Sequence, residues 1–384
     1  MEEIFISELY VEKARVVKNL LISLSDKERK HLIITGKNGS GKTSLLLELN
    51  KCIGNMLDVY RANIKHGTKN KEIQTVLHKE NTQIKFINEN TFWEKANNGT
   101  FIIVFFDARR QIYLNVPSGI NKINLQKCYN LNEKANQNFI QYIVNLKADR
   151  SFAKDDGEDT IVSKIDNWFD NFQKRLREIF DSSSIKLVFD KKNYNFQIIE
   201  NEKEPYTFNT LSDGYSAIFS IVTELLLRME AHDVKNYDME GLVLIDEIET
   251  HLHVDLQKKV LPFLIDFFPK IQFIVTTHSP FVLSSVSNSV ICDIENKIIT
   301  SDLSAYSYDA IIESYFNTDK YSNIIKSKII EYENLLLKEQ LDQEKKERLK
   351  DLENYFKYVP KYLSNELLVK LQEISLKSLR SNRF

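Results

Sequence analysis

A short glycine-rich segment near the N-terminus constrains the fold of this chain more than any other feature. Residues 36–43 read GKNGSGKT and follow the pattern G-x-x-x-x-G-K-[ST]. An apolar run, HLIIT at 31–35, precedes the segment, and leucine-rich residues at helical spacing follow it. This order predicts a buried strand, a phosphate-binding loop and a helix. Glycine lets successive backbone N–H groups face phosphate oxygens, and a helix N-terminus attracts negative charge.

Each residue type in this loop has an expected contact with a bound nucleotide. Lys42 is expected to reach the β- and γ-phosphates of ATP, and the Thr43 hydroxyl to hold Mg²⁺. The chain has only 10 glycines, and three of them fall in this loop, which argues against a chance match. The residues expected to bind ATP here are Gly36, Asn38, Gly39, Ser40, Gly41, Lys42, Thr43 and Ser44.

Two adjacent carboxylates end another apolar run. Residues 242–245 read LVLI and are followed by Asp246 and Glu247. In open α/β sheets, ligands bind at the carboxyl ends of the strands, so a buried strand here would deliver both acids to the phosphate loop. We expect Asp246 to complete the Mg²⁺ shell through water, and Glu247 to orient and deprotonate the attacking water. Without the loop upstream, the same pattern would indicate a strand ending in solvent.

A histidine follows the next apolar run. Residues 273–277 read FIVTT and lead into His278, and this strand is expected to neighbour the one that ends at Asp246. His278 would then lie beside the γ-phosphate and hydrogen-bond to the charge that develops there. A histidine that caps the strand end is the alternative. A zinc site is not expected at His251 and His253, because their i, i+2 spacing does not share a helical face and no cysteine or carboxylate cluster completes it.

The rest of the pattern predicts alternating strands and helices. Strands are predicted at 3–10, 14–24, 31–35, 101–106, 185–199, 242–245 and 273–277. Helices are predicted at 133–149, 160–181, 215–231 and about 254–267, and a Lys/Glu-rich helical region begins near residue 308. Residues 57–100 show no clear organisation. Such alternation predicts an α/β class with a parallel sheet.

Composition excludes several classes of protein. The 52 basic and 54 acidic residues give a net charge of −2, so a nucleic-acid surface would have to be a local patch, and 61–80 is a weak candidate. Three cysteines without CxxC spacing argue against a disulfide framework or a zinc finger. The acidic N-terminus does not match a signal peptide, and no run approaches about 18 apolar residues. We therefore expect a cytoplasmic protein with no membrane contact.

A fourth motif, LSDG at 211–214, precedes the predicted helix at 215–231. Alone it predicts a helix cap, with Ser212 as N-cap and Gly214 allowing a phosphate to approach the backbone. The order of phosphate loop, LSDG, apolar strand with DE, and strand with THSP resembles the ABC ATPases, in particular the branch that contains the SMC proteins, RecF and the OLD ATPases. His253 falls where ABC transporters carry the D-loop aspartate, so a transporter ATPase is not expected.

The resemblance implies an active site shared between two chains. In ABC ATPases, the LSxG motif of one subunit closes on the nucleotide held by the phosphate loop of another. Ser212 and Gly214 would therefore contact ATP bound to Lys42 and Thr43 of a second copy. A homodimer or a higher homo-oligomer with ATP between its chains is the expected assembly.

The resemblance also implies further site residues and a layout. ABC ATPases sense Mg²⁺ and the attacking water with a glutamine that follows an early strand, and Gln111 matches it. Arg109 or Arg110 would contact nucleotide or a neighbouring subunit. The expected fold is an ABC-ATPase-like P-loop core with a parallel sheet, an N-terminal antiparallel β subdomain and a helical insert at about 57–210. That ATPase domain would span 1–307, and a C-terminal helical region would span 308–384.

Residues 139–180 resemble stand-alone ATPases of bacterial anti-phage systems, of the Septu, retron-associated and PARIS types. Such ATPases sense a trigger or restrain a separately encoded effector, often a nuclease, so the resemblance implies an effector partner. A nuclease fused to this chain is not expected, because Asp293 and Glu295 do not form the required D-x-D pattern. The alternative is a RecF-like DNA-repair ATPase that clamps on duplex DNA. The low net charge favours the defence ATPase.

Overall fold

A computed structural model describes residues 3–65, 82–110, 112–129, 133–201, 203–232, 237–308, 310–311, 323–336, 338 and 342–358. The chain divides into two units, Met1–Tyr308 and Asp309–Phe384. The strands of the first unit are β1 (Phe5–Ala14), β2 (Val17–Ser23), β3 (His31–Thr35), β4 (Thr82–Ile87), β5 (Ile102–Phe106), β6 (Lys186–Asp190), β7 (Asn195–Ile199), β8 (Tyr206–Thr207), β9 (Gly241–Ile245), β10 (Ile271–Thr276), β11 (Ser289–Asp293) and β12 (Ile298–Ser301). Its helices are α1 (Lys42–Lys65), α2 (Glu89–Asn97), α3 (Phe139–Asp155), α4 (Asp159–Phe180), α5 (Asp213–Glu230), α6 (Val254–Phe267) and α7 (Pro280–Leu283).

A mostly parallel sheet forms the centre of the first unit. In the described part of the chain, its strands lie in the order β12–β11–β3–β10–β9–β5, and β12 is the antiparallel edge. Every residue of β3, β9 and β10 is buried, as expected for parallel strands covered on both faces. The prediction that 242–245 and 273–277 are neighbours is confirmed by the β9–β10 pairing. The ends of β3, β9 and β10 consequently meet at one edge of the sheet.

A second sheet confirms the predicted N-terminal antiparallel subdomain. Its order is β2–β1–β4, and β1 pairs antiparallel with both neighbours. Its buried side chains share one hydrophobic core with α1 and α2. Three of these elements changed the sequence-based interpretation: α1 continues to Lys65, and β4 and α2 occupy much of the stretch 57–100 that sequence patterns left unorganised.

An insert of two helices and a small sheet lies between β5 and α5 in the sequence. The sheet has the order β6–β7–β8, and aromatic rings hold the insert together: the Phe139 ring centroid lies 5.6 Å from that of Phe172 and 5.8 Å from that of Phe208. The helix predicted at 133–149 instead begins at Phe139. The Glu224 carboxylate accepts the backbone N–H groups of Ala135 and Asn136 and so fixes a 3₁₀ turn ahead of the helix.

The second unit contains α8 (Asn323–Leu336) and α9 (Gln343–Tyr358). They share a small apolar core of Ile329, Tyr332, Leu335, Leu352 and Phe356. Arg348 on α9 forms a two-bond ion pair with Glu331 on α8. Across the described helices of both units, none combines the length and apolar character needed to span a membrane. The predicted α/β class, with its parallel sheet, antiparallel N-terminal sheet, insert and C-terminal helices, is confirmed.

Candidate nucleotide-binding site

The phosphate loop connects β3 to α1 and needs glycine at two crowded positions. Gly36 and Gly41 have φ values of +142° and +102°, which L side chains rarely adopt. A Cβ on Gly41 would lie 2.7 Å from Cγ2 of Val16, in the β1–β2 turn, so the antiparallel sheet presses on the loop. Within the loop, the Ser40 hydroxyl is buried and has no hydrogen-bond partner among the described residues. Such an unpaired polar atom fits a loop that binds a polar ligand.

Lys42 is folded into this loop and only 5% exposed. Its Nζ donates to the carbonyl oxygens of Gly36 at 2.8 Å and Lys37 at 3.1 Å. Burial lowers the pKa of Lys42, and the carboxylates of Glu247, Glu249 and Asp246 nearby act in the opposite direction. The ammonium group therefore lies close enough to the acids that follow β9 for their charges to favour its protonated form.

Asp246 lies directly after β9 and is held from two strands. Its Oδ1 accepts hydrogen bonds from Thr43 Oγ1 at 3.2 Å and from Thr276 Oγ1 at 2.6 Å. Its backbone N–H donates to Phe106 O at the end of β5. Hydroxyl and carboxylate oxygens are ligands that Mg²⁺ prefers, and Mg²⁺ commonly takes one or two carboxylates together with substrate phosphates. Thr43 and Asp246 thus place two oxygen atoms of the kind that binds Mg²⁺ side by side.

Glu247, the expected catalytic base, is half-buried on a strained backbone. Its φ is +44°, uncommon for a residue other than glycine. Its N–H donates to Thr276 Oγ1 at 2.7 Å, and its Oε2 accepts from Thr250 Oγ1 at 3.2 Å. Thr276 therefore fixes both acids through one hydroxyl. Thr276 belongs to no motif of its own; its position at the end of the adjacent strand was the sequence signal for it.

Arg110 does not have the role that was expected of either Arg109 or Arg110. It is only 2% exposed, and its guanidinium donates to the backbone carbonyls of Asp246, Glu247 and Ile248 in its own chain. A nucleotide or neighbouring subunit has no access to it. Arg109 is exposed. Gln111, expected to sense Mg²⁺, lies outside the described residues.

His278 follows β10 and is linked to an acid that sequence analysis passed over. Its backbone N–H donates to Glu249 Oε1, whereas Glu249 Oε2 is buried without a partner among the described residues. Burial and the Lys42 charge lower the pKa of His278, so the imidazole is neutral near pH 7. The sequence signal for Glu249 was its position two residues after Glu247, next to the expected base.

The LSDG motif begins α5, with Ser212 as its N-cap residue. Ser212 is exposed and its side chain makes no capping hydrogen bond, so its hydroxyl is available to another molecule. Gly214 is buried, and its contact within the chain is with the loop after the acids: a Cβ there would lie 2.9 Å from the His251 carbonyl oxygen. The small size of Gly214 therefore serves α5 packing in this chain.

Several other polar residues around the loop have structural partners. Lys37 pairs with Glu295, with Nζ and Oε1 2.9 Å apart, and Asp293 accepts the N–H groups of Glu295 and Asn296. Exposed His253 is the N-cap of α6 and lies 3.6 Å from the Asp255 carboxylate. No group of three or more His, Cys, Asp or Glu residues suited to a metal ion occurs in the described part of the chain.

The phosphate loop, the acids after β9 and the histidine after β10 meet at the carboxyl edge of one parallel sheet, with LSDG beginning a helix packed against the acid-bearing loop. This combination of fold and site is that of a P-loop ATPase. Comparisons with known proteins agree with this class. A family described as "AAA domain, putative AbiEii toxin, Type IV TA system" matches residues 110–284.

The chain is similar to a Septu protein and to two probable retron ATPases. It is 34% identical over 116 residues to the Septu protein PtuA of Bacillus mycoides (strain KBAB4), which covers 30% of this chain and 16% of that protein. It is 29% identical over 181 residues to the Retron Ec83 probable ATPase of Escherichia coli. That match covers 43% of this chain and 30% of the other protein. The Retron Vc95 probable ATPase of Vibrio cholerae serotype O1 biovar El Tor is 23% identical. That match covers 90% of this chain and 89% of the other protein. The chain thus spans less than a third of the first two relatives and most of the third.

Among solved structures, the SMC head domain from Thermotoga maritima matches with 13% identity and a TM-score of 0.38. That match covers 77% of this chain and 98% of the other.

Proposed function

We propose that this chain is the ATP-binding and ATP-hydrolysing subunit of an anti-phage defence complex. In this proposal it is a nucleotide-dependent switch or scaffold that senses a trigger and controls a separately encoded effector of the nuclease class. The observation that carries the ATPase part is the bond network joining Thr43, Asp246, Thr276 and Glu247. Similarity to Septu and retron ATPases supports the defence part.

The site residues divide the chemistry among them. The loop N–H groups and Lys42 bind the phosphates, and Thr43 and Asp246 would hold Mg²⁺, which neutralises charge on the phosphates when bound. Glu247 accepts the proton of the attacking water and orients it. A neutral His278 donates a hydrogen bond toward the γ-phosphate. Gln111 completes the metal-sensing role in this proposal.

The assembly we propose is a homodimer or higher homo-oligomer that closes on ATP. Ser212 supports it, because this exposed N-cap hydroxyl has no capping bond within its own helix. ATP between Lys42 of one chain and Ser212 of the other would stabilise the closed pair by its greater affinity for that state, and hydrolysis would remove the bias. The closed pair is then the state that an effector reads.

Two substitutions test the chemistry. Lys42→Ala should abolish tight ATP binding, because the phosphates lose a charge-assisted hydrogen bond. Glu247→Gln should bind ATP normally and hydrolyse it very slowly, because only the base is lost. Glu178→Gln, at an exposed position of α4, is the matched control and should behave like wild type. Wild-type hydrolysis by Glu247→Gln would contradict the site assignment.

A mixing experiment tests the shared site. Lys42→Ala and Ser212→Arg chains, each inactive alone, are combined and the ATPase rate is measured. In the mixed dimer one site carries both lesions and the other carries neither, so partial recovery is expected. Mixed dimers that recover no activity would count against sharing, and so would Glu247→Gln that sediments as a monomer at saturating ATP.

A third measurement separates the defence subunit from the DNA clamp. The purified chain should bind duplex DNA weakly, and it should co-purify with the product of an adjacent effector gene when both are expressed. Tight duplex binding that weakens steeply with salt would instead favour the RecF-like function.

A further inference from the structure

We propose that Arg110 is the positioning residue that holds Glu247 in place for hydrolysis. The inference rests on the proposed ATPase function and adds a residue to its machinery. Arg110 does not touch the substrate; it acts through the turn at 246–248, which carries both acids. The observation behind it is the buried fork of hydrogen bonds between one guanidinium and three successive carbonyl groups of that turn.

The turn at 246–248 is held from two sides, and Arg110 provides one of them. Nη1 donates to Asp246 O at 2.5 Å, and Nη2 donates to Glu247 O at 2.9 Å and Ile248 O at 3.2 Å. On the other side, the N–H groups of these residues donate to Phe106 O and to the Oγ1 and O atoms of Thr276. The carbonyl groups of the turn are therefore paired with Arg110, whereas its N–H groups are paired with residues at the ends of β5 and β10.

This pairing matters because Glu247 has an unfavourable backbone. A φ of +44° in a residue with a bulky side chain persists only where the surroundings over-determine it, and such strain concentrates at functional sites. Without the guanidinium, the three carbonyls lose this donor and the turn is free to relax. A displacement of the base by about 1 Å is enough to reduce a rate about 100-fold.

The charge of Arg110 adds to this effect. Burial lowers the pKa of the Arg110 guanidinium, whereas attraction to nearby carboxylates, among them those of Glu249, Asp246 and Glu247, acts in the opposite direction. The same attraction keeps three carboxylates together at one strand end, where they would otherwise repel one another. Lysine cannot reproduce the arrangement, because a single ammonium group lacks the planar fork that reaches several acceptors.

A purely structural role would lower stability without changing the catalytic step selectively. Arg29 offers a matched control: this largely buried arginine also donates to two carbonyls, Lys270 O at 2.8 Å and Pro269 O at 2.7 Å. Those carbonyls precede β10, at the opposite end of that strand from Thr276. Arg29→Met should therefore affect stability but not turnover per folded molecule.

The experiment compares Arg110→Met, Arg110→Lys and Arg29→Met with wild type, each normalised to folded protein. We measure kcat, KM and the Kd of a fluorescent ATP analogue. Arg110→Met and Arg110→Lys should lower kcat by about 10- to 100-fold with little change in Kd. Arg110→Lys decides the case if Arg110→Met does not fold.

Three results would overturn the inference: a kcat within twofold of wild type in Arg110→Lys, a loss of ATP affinity equal to the loss of kcat, or the same loss in Arg29→Met. A wild-type chain that binds ATP but does not hydrolyse it would overturn the proposed function, and this inference with it. The wild-type measurement therefore separates the two failures.

Discussion

The Thr276 hydroxyl hydrogen-bonds to both acids, so one substitution there removes a support from each of them. Thr276 is fully buried, and its Oγ1 donates to Asp246 Oδ1 at 2.6 Å while accepting the N–H of Glu247 at 2.7 Å. Thr276→Val keeps the β-branched shape and removes only this hydroxyl. The hydrogen bond to a charged acceptor contributes about 1.5–3 kcal/mol, and leaving the N–H unpaired costs about 1–3 kcal/mol.

We therefore expect Thr276→Val to lower the free energy of unfolding of the first unit by roughly 3 kcal/mol. If about 1.4 kcal/mol of the lost interaction acts in the transition state, kcat falls about tenfold. Denaturant titration followed by circular dichroism measures the first quantity, and steady-state phosphate release measures the second. Thr276→Ser keeps the hydroxyl and should retain most of both.

Thr277→Val is the matched control. Thr277 is also fully buried, and its Oγ1 accepts the N–H of Ser279 at 3.0 Å rather than contacting an acid. Its substitution should lower stability with little effect on kcat. Thr276→Val with wild-type turnover, or an equal loss of turnover in Thr277→Val, would show that the hydroxyl does not organise the acids.

Three further predictions concern pH, packing and the histidine. Burial, reinforced by the Arg29 charge, lowers the pKa of His31 to about 3. Unfolding then takes up a proton below pH 6.5, and the unfolding free energy should fall by about 1.4 kcal/mol per pH unit between pH 6.5 and 4.5, a slope that His31→Leu should remove. Gly214→Ala should lower the melting temperature, because its Cβ would meet the His251 carbonyl at 2.9 Å; Gly119→Ala, with open space around it, should not. Glu249→Gln removes a negative charge that favours the protonated ring, so NMR titration should find a lower pKa for His278; an unchanged or raised pKa would contradict this.

The sequence predicted the elements that carry local signals. The strands ending at Thr35, Ile245 and Thr276 are short apolar runs next to glycine, acid or histidine motifs, so their identity and their shared edge follow from pattern and topology. Strand β4 alternates buried and exposed residues, but it lies in polar surroundings and pairs with β1, which is remote in sequence. The pairing of β4 depends on contacts with β1, and the sequence around β4 holds no information about them.

The candidate site likewise contains residues with a local sequence signal and residues placed only by tertiary contacts. Loop residues 36–44 and the two acids were identifiable because each carries a motif. The support from Thr276 and Arg110 was not, since it depends on which side chains from β10 and the segment after β5 meet beneath one turn. An arginine near an ATP site suggests contact with phosphate, yet burial and backbone carbonyls direct Arg110 to the protein interior.

Gly214 leaves no room for a side chain between the first turn of α5 and the His251 carbonyl, so these two segments cannot shift independently. In a two-chain assembly, α5 would present Ser212 to the neighbour's ATP, whereas the loop containing His251 continues from the chain's own acids. A structural change that accompanies hydrolysis at one site would then reach the other site through the steric contact between Gly214 and the His251 carbonyl within a single chain. The two sites of a pair should therefore act cooperatively, and the ATP dependence of the rate should give a Hill coefficient above one.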